Sequence, residues 1–309
     1  MKTVNFEELY NDRLGRLLHE LDQRRKRSIS FIFKTGLVLL GIGGLLLIVY
    51  ESAGMSWWYH FFSLAAIGIV LLFVYTRQKN SYAREFKSKI MPSILQFINS
   101  ELYYHPYNYM SKDEFNGCGL FKCPDRYNGK DYVEGYVGET HIKFSIVHAE
   151  EEHKTTRTDD DGHSQTDTYY ATIFCGIFFS ADFNKWFSGC TYVMQKSPGL
   201  FRKGRVKLED PRFNDRFTVY SSDQIEARYI LAPNLMERIV ALSDKAGKIS
   251  LSFVGSRVYI AIPTNYNLFE PPFLSSIQDA DVIYNYFYFL NLVVGIVEDL
   301  NLNTRIWSK

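Results

Sequence analysis

The sequence predicts an α+β protein on a membrane anchor. The parts are a two-helix transmembrane hairpin with a flanking helical stalk, plus a cytoplasmic domain of mainly antiparallel sheet packed with C-terminal helices. Three observations carry this reading. Two runs near the amino end are almost free of charge. Basic residues flank the pair on both outer sides and are absent from the short connection between them. Some 40 of the 50 aromatic side chains lie outside the two runs, and about two hundred further residues read as short alternating stretches broken by turn signals.

The first run spans residues 29–50 and contains one charge, Lys34. The second spans residues 57–75 and contains no Asp, Glu, Lys or Arg. A helix rises ~1.5 Å per residue, so each run can cross a hydrocarbon core of ~30 Å. Neither carries the polar stripe of a surface helix. The first run begins some thirty residues in and the second follows at once, which is unlike a cleaved signal peptide. Arg24, Arg25, Lys26 and Arg27 precede the hairpin, and Arg77 and Lys79 open the basic segment after it. The positive-inside rule then places both termini in the cytoplasm. Tyr50, Trp57, Trp58 and Tyr59 gather at the outer turn, where amphipathic rings favour the interface. Glycines 36, 41, 43 and 44 allow close helix packing, but no small-xxx-small pair specifies a dimer.

The organisation that follows is an N-terminal cytoplasmic amphipathic helix over residues 1–28, the hairpin over 29–75, a juxtamembrane helix over 76–104 and a cytoplasmic α+β domain over 105–309. Phe6, Leu9, Leu14, Leu17, Leu18 and Leu21 fall near one helical face, and Tyr82, Phe86, Ile90, Ile94, Phe97 and Ile98 do the same. Both segments leave one membrane face, so an antiparallel stalk is expected, with Pro92 as a kink. The alternative places residues 5–21 on the membrane surface or in an oligomer contact.

In the large domain, residues 127–130 read as a turn, and residues 131–138 and 141–149 as strands around Glu139-Thr140. Residues 168–180 and 189–195 read as further strands, and 155–168 as a polar loop. Residues 248–254 and 257–262 read as a half-buried hairpin over Gly255-Ser256. Ser221 to Gln224 has the form of a helix cap before a short helix over 224–231. Pro233 opens another helix that Gly247 ends. A last amphipathic helix runs over residues 276–300, with a third membrane span as the alternative.

Composition narrows the functions. Lys plus Arg is 35 and Asp plus Glu is 34, so a net charge of +1 excludes polyanion binding through bulk charge. Charged residues at 22% and apolar residues at 46% exclude a disordered chain. Four cysteines make no disulfide framework. There is no phosphate loop, dinucleotide fingerprint, zincin helix or nucleophile elbow.

The stretch from Ala171 to Phe187 (ATIFCGIFFSADFNKWF) resembles a bacterial family known only as domain of unknown function 3137. So do the stretch from Phe213 to Pro233 and the ending from Leu268 to Trp307. The resemblance covers about residues 120–309. It implies a bacterial inner-membrane protein and implies no activity.

Within that region the densest polar cluster is Asp223, Glu226 and Arg228, the candidate binding residues. Asp223 can cap the short helix and Glu226 suits its third position. Arg228 has the geometry for a bidentate anion contact or for a structural ion pair. Cys118 and Cys123 have the loose spacing of half a zinc site without a second pair, and His148 and His153 share it. Asp159-Asp160-Asp161-Gly162 resembles a calcium loop but places Tyr170 where the bidentate Glu belongs. The basic run over 202–207 is a solvated loop or a contact with anionic lipid. No catalytic residue, metal or cofactor is assigned.

The sequence therefore reads as a membrane-anchored cytoplasmic binding or scaffold module of the bacterial inner membrane, multi-pass, with both termini inside. Its expected partners are the lipid bilayer and a protein partner or a second copy, with no nucleic acid. The alternatives are a hydrolase-like enzyme with a site near Asp223 and Arg228, and an accessory subunit of an oligomeric transport complex.

Overall fold

A computed structural model describes residues 6–158, 164–183, 185–196 and 204–303. The chain divides into two compact units. Among the described residues, one comprises residues 6–94 with 270–285, and the other residues 95–269 with 286–303.

The first unit is built on two long antiparallel helices. Helix α1 (Phe6–Glu8), a π-helical segment (Leu9–Leu14) and α2 (Gly15–Ser52) follow one another directly. Helix α3 (Trp58–Ile98) returns and contains Pro92 without ending there. The most apolar window of each long helix has none of its residues buried by protein. Phe33, Leu40, Ile48, Phe62, Leu64 and Leu72 each stand exposed. These two helices are long and apolar enough to cross a membrane. The helices meet at Gly36, opposite Leu71, and at Gly43, opposite Ile67. A Cβ on Gly43 would lie 3.0 Å from Ile67 Cδ1, so the bare glycine lets the second helix approach. At the turn, the Trp57 and Trp58 rings stack at 4.0 Å and Tyr50 meets Tyr59 at 5.9 Å.

Beyond the apolar windows the same helices form the stalk. Leu9, Leu14, Leu18 and Leu21 are buried, as are Tyr82, Phe86, Ile90 and Ile94. Arg24 pairs with Glu85 and donates to Ser81 Oγ at 3.0 Å, and Ser28 donates to Gln78 at 3.1 Å. These cross-links pair late positions of one helix with early positions of the other, as an antiparallel pair requires.

The segment Glu270–Asn285 adds to this unit. The Phe273 ring lies 5.7 Å from Tyr75 and 5.8 Å from Tyr82. Buried Arg25 donates Nε to Asp22 at 2.9 Å and Nη1 to the Leu274 carbonyl at 3.2 Å. Asp22, 2% exposed, also accepts from Ser276 Oγ at 3.0 Å and pairs with Lys26 at 3.0 Å. Lys87 meets Glu270 at 2.7 Å and the Tyr10 hydroxyl donates to the Gln278 carbonyl at 2.7 Å.

The second unit holds a nine-stranded antiparallel sheet of order β1-β2-β3-β4-β9-β8-β5-β7-β6. The strands are β1 (Leu102–His105), β2 (Arg126–Val137), β3 (Thr140–Thr158), β4 (Ser164–Asp182), β5 (Cys190–Gln195), β6 (Arg205–Val206), β7 (Phe217–Ser221), β8 (Ser250–Val254) and β9 (Arg257–Pro263). Helices α4 (Lys112–Gly117), α5 (Pro211–Arg216), α6 (Gln224–Ile230), α7 (Pro233–Ala246) and α8 (Ala280–Asp299) complete the described elements. Helix α7 opens on Pro233 and stops at Gly247, whose φ of +80° suits a residue without a side chain.

Several expectations are corrected. Helix α3 ends at Ile98, and residues 102–105 form a strand because Leu102 to His105 pair with Gly135 to Tyr132. Residues 127–130 are strand, not turn. Gly129 is there because Tyr109 crosses it: a Cβ would meet Tyr109 Cβ at 2.5 Å. The turn-like text encodes the bulge after Lys130, with Asp131 at φ +60° holding the Tyr104 hydroxyl. The expected loop over 155–168 is mostly strand, with pairing continuing to Thr158 and Ser164. The β8–β9 hairpin forms over Gly255 as expected, but it is buried on both faces rather than half-buried. The same holds for β3, where Ser145 and Val147 are as buried as Phe144 and Ile146. One face of the sheet packs on Met110, Phe115, Cys118 and Leu120. Helix α8 begins at Ala280 rather than at 276. It is apolar enough to count as a third candidate span, yet half of that window is buried inside the protein.

The Asp22 pair generates a test. Burial pushes its carboxyl up, but hydrogen bonds from Lys26, Arg25 and Ser276 and the Arg25 charge outweigh that, so it sits below the ordinary carboxylate range. A depressed folded-state value means its contribution is complete above the unfolded value of ~3.9 and is lost as pH falls through the folded one. Asp22→Ala strands Arg25 without its counter-charge, so a loss of about 3–5 kcal/mol is expected, read as faster amide exchange at residues 273–278. Wild type should show that release only on acidification below ~pH 4. Equal exchange in both proteins at neutral pH would contradict it.

Candidate functional site

The three candidate binding residues lie on or beside α6, facing the loop between β4 and β5 (residues 183–189). Asp223 is the cap of α6, accepting from Ile225 N at 2.9 Å and Glu226 N at 3.0 Å. Ser221 sits one step further out and accepts from Asp223 N at 3.1 Å, so the cap is Asp223 rather than Ser221. Glu226 reaches sideways off the helix. Its two carboxylate oxygens accept from Ser188 N at 3.0 Å and Gly189 N at 2.8 Å. Ser222 Oγ accepts from Cys190 N at 2.9 Å. A side chain at Gly189 would displace Ser222 from this clamp, since a Cβ there would lie 2.6 Å from Ser222 Oγ. Arg228 is exposed and reaches the Gln224 carbonyl at 3.5 Å. The structure thus joins Asp223 and Glu226 in one backbone-holding device and leaves Arg228 outside it.

The other side of the loop is pinned to the β8–β9 turn. Phe183 N donates to the Ser256 carbonyl and Phe187 N to the Gly255 carbonyl. Phe187 is buried, and its ring lies 5.1 Å from Phe183 and 5.8 Å from Phe253. Between these anchors Trp186 is 75% exposed. Ile225 and Tyr229, one turn apart on α6, are 81% and 51% exposed. Lys185 Nζ lies 4.0 Å from the centre of the Tyr229 ring. This apolar surface was not singled out from sequence. Its one signal was a Trp beside a Lys in text otherwise reading as strand.

The polar groups next to the loop are paired. Arg257 donates to Asp182 at 2.7 Å and to Ser180 Oγ at 2.8 Å, and lies 3.9 Å from Glu114. Two concavities lie elsewhere. One of about 440 Å³ lies along α7 and α8 by Lys245 and Asp299, which pair at 2.8 Å. One of about 520 Å³ lies by Lys196, Arg205, Lys207 and Asp215. Asp223, Glu226 and Arg228 line neither.

Cys118 is buried in the core, where its Sγ accepts from Leu120 N at 3.5 Å, while Cys123 is exposed. Burial pushes the Cys175 thiol up, against a backbone hydrogen bond from Tyr266 and the Lys130 charge. His148 Nε2 lies 3.1 Å from Thr172 Oγ1, and His153 stacks on Tyr169 at 5.1 Å. Among the described residues no three His, Cys, Asp or Glu side chains gather as a metal site would need. Residues 159–162 and residues 202–203 of the basic run lie outside the described residues. Of the topology residues, Arg27, Arg77 and Lys79 are exposed, exposed Arg24 pairs with Glu85, exposed Lys26 reaches buried Asp22, and Arg25 is buried on the same Asp22.

The clamp has a measurable consequence. Glu226→Ala removes a charged acceptor from two amides, an effect of about 1–3 kcal/mol on the loop. Amides 188 and 189 should exchange faster while the β4–β9 ladder stays protected. Gly189→Ala should do the same by displacing Ser222. Unchanged exchange at both amides in both variants would exclude the clamp.

No curated protein matches the chain. Among solved structures, the crystal structure of the mycobacterial trehalose monomycolate transport factor A, TtfA, matches at 11% identity. That match covers 65% of this chain and 93% of that one with a TM-score of 0.34, too slight to bear on fold or role. Residues 172–302, which contain the loop, the clamp and α6, match the family described as Protein of unknown function (DUF3137), the family that the sequence stretches resemble.

Proposed function

We propose that the chain is a membrane-anchored binding or scaffold module, held by two spans at the cytoplasmic face of a bacterial inner membrane. One observation carries this: two adjacent long helices whose most apolar windows are uncovered by any other part of the protein. Such a surface is stable in lipid and costs ~25 cal/mol per Å² in water. The placement of the termini rests on charge. Arg24, Lys26, Arg27, Arg77 and Lys79 lie on one side, and residues 51–56 carry no Lys or Arg. Arg25 adds little, because Asp22 neutralises it. The sheet-bearing unit is then a cytoplasmic module for a protein partner or a second copy. The geometry at α6 lends nothing to the hydrolase alternative, since Asp223 and Glu226 both hold backbone amides.

The chain should stay with membranes through high salt and carbonate and leave only in detergent. Leu40→Arg with Leu64→Arg places two charges near mid-bilayer depth, each costing about 2.5–3.5 kcal/mol, and should lower the membrane fraction sharply. For orientation, Met55→Cys should react with an impermeant maleimide in intact cells, while native exposed Cys123 reacts only after lysis. Release by carbonate would defeat the anchor, and the reverse labelling order would defeat the orientation.

A further inference from the structure

We infer that the Trp186–Ile225–Tyr229 surface is a second membrane contact, one that inserts into the headgroup region of an anionic leaflet without spanning it. The inference rests on the anchoring just proposed and adds to it a defined second foothold.

The first argument is exposure without freedom. A Trp 75% exposed in a loose loop can fold back onto its own protein. Here the loop cannot. Phe183 N and Phe187 N are bound to the β8–β9 turn, Phe187 is buried, and Glu226 holds Ser188 N and Gly189 N. Ile225, 81% exposed, and Tyr229, 51% exposed, stand on the helix that carries the clamp. The fold therefore holds three large apolar side chains in water, a cost that an occupant has to offset.

The second argument is chemistry. Trp and Tyr are the residues of the bilayer interface, because their rings are apolar and their polar edges remain hydrated. Lys185 lies over the Tyr229 ring, and Arg228 is exposed one residue before it. Both cations can meet lipid phosphates. The neighbouring carboxylates have partners of their own: Asp223 and Glu226 accept from backbone amides and Asp182 pairs with Arg257. The surface thus presents aromatic and aliphatic groups flanked by positive charge, the composition of an interfacial anchor.

The third argument is size. A stable protein interface needs about 800 Å² from each partner. Three side chains on a short loop and a seven-residue helix offer only a fraction of that. Such a contact is too weak to recruit a free protein. It becomes occupied when a tether already holds the domain beside the bilayer, because the effective concentration is then ~mM.

The test uses the full chain with Trp57→Phe, Trp58→Phe and Trp307→Phe, which leaves Trp186 as the only Trp. It is reconstituted into phosphatidylcholine vesicles with or without phosphatidylglycerol, and flotation establishes insertion first. With phosphatidylglycerol present, Trp186 emission should shift to the blue, brominated acyl chains should quench it several-fold, and aqueous iodide should lose most of its access. Lys185→Glu with Arg228→Glu should abolish the dependence on phosphatidylglycerol while flotation persists. A floating protein whose Trp186 stays open to iodide and blind to bromine overturns this inference and leaves the anchor standing. Shielding from iodide without quenching by bromine also overturns it, since a protein surface then covers the patch. Failure to float overturns the anchor and this inference together.

Discussion

The rest of the structure depends on the solvation of two helical surfaces that the protein itself does not cover. In hydrocarbon every backbone amide must find its partner within its own segment, and only a continuous helix does this for a single run. That explains why α2 and α3 pass without interruption from the apolar windows into the stalk. Breaking the ladder at the membrane boundary would leave carbonyls and amides at a depth where water cannot serve them. The register of the hairpin is consequently transmitted into the stalk, where Ser28–Gln78 and Arg24–Glu85 continue the pairing.

Where the apolar windows end, the same helices become covered by protein. Leu18, Leu21, Tyr82 and Phe86 supply the apolar cover, and Asp22 with Arg25 lies inside it. A buried ion pair is a poor source of stability, because desolvation offsets most of the Coulomb gain. What this pair offers is direction. Arg25 reaches the Phe273 and Leu274 carbonyls and Asp22 reaches Ser276, so the charges select one place for the returning segment 270–278. Apolar packing of Phe273 alone between Tyr75 and Tyr82 would tolerate a slide along the helices.

Features set by local chemistry were legible in the sequence. The two long apolar helices follow from missing charge, the β8–β9 hairpin from Gly255, the end of α7 from Gly247 and the cap of α6 from Asp223. Features set by distant neighbours were not. Gly129 and Asp131 look like a turn, yet Tyr109 and Tyr104 make them a bulged strand. The polar text around 155 and 165 is strand because β3 and β4 pair along their whole described length, and a two-stranded extension needs no apolar face. Alternation implied half-buried strands, whereas a sheet covered on both faces buries Ser145 and Val147 alike. The return of residues 270–278 to the stalk left no mark in the local pattern at all.

The candidate site shows the same division within a few residues. Asp223, Glu226 and Arg228 form a dense polar cluster, and density in sequence invites a chemical reading. Geometry separates them. Asp223 holds the first turn of α6 and Glu226 holds a loop 37 residues away in sequence, so both carboxylates bind backbone amides of the chain itself. Their work is positional. They fix a helix against a loop, and the same act fixes Trp186 and Ile225 in solvent. A binding residue was sought among the charges, but the charges are the frame. The side chains left facing outward are Trp186, Ile225 and Tyr229, whose free energy falls when water leaves them.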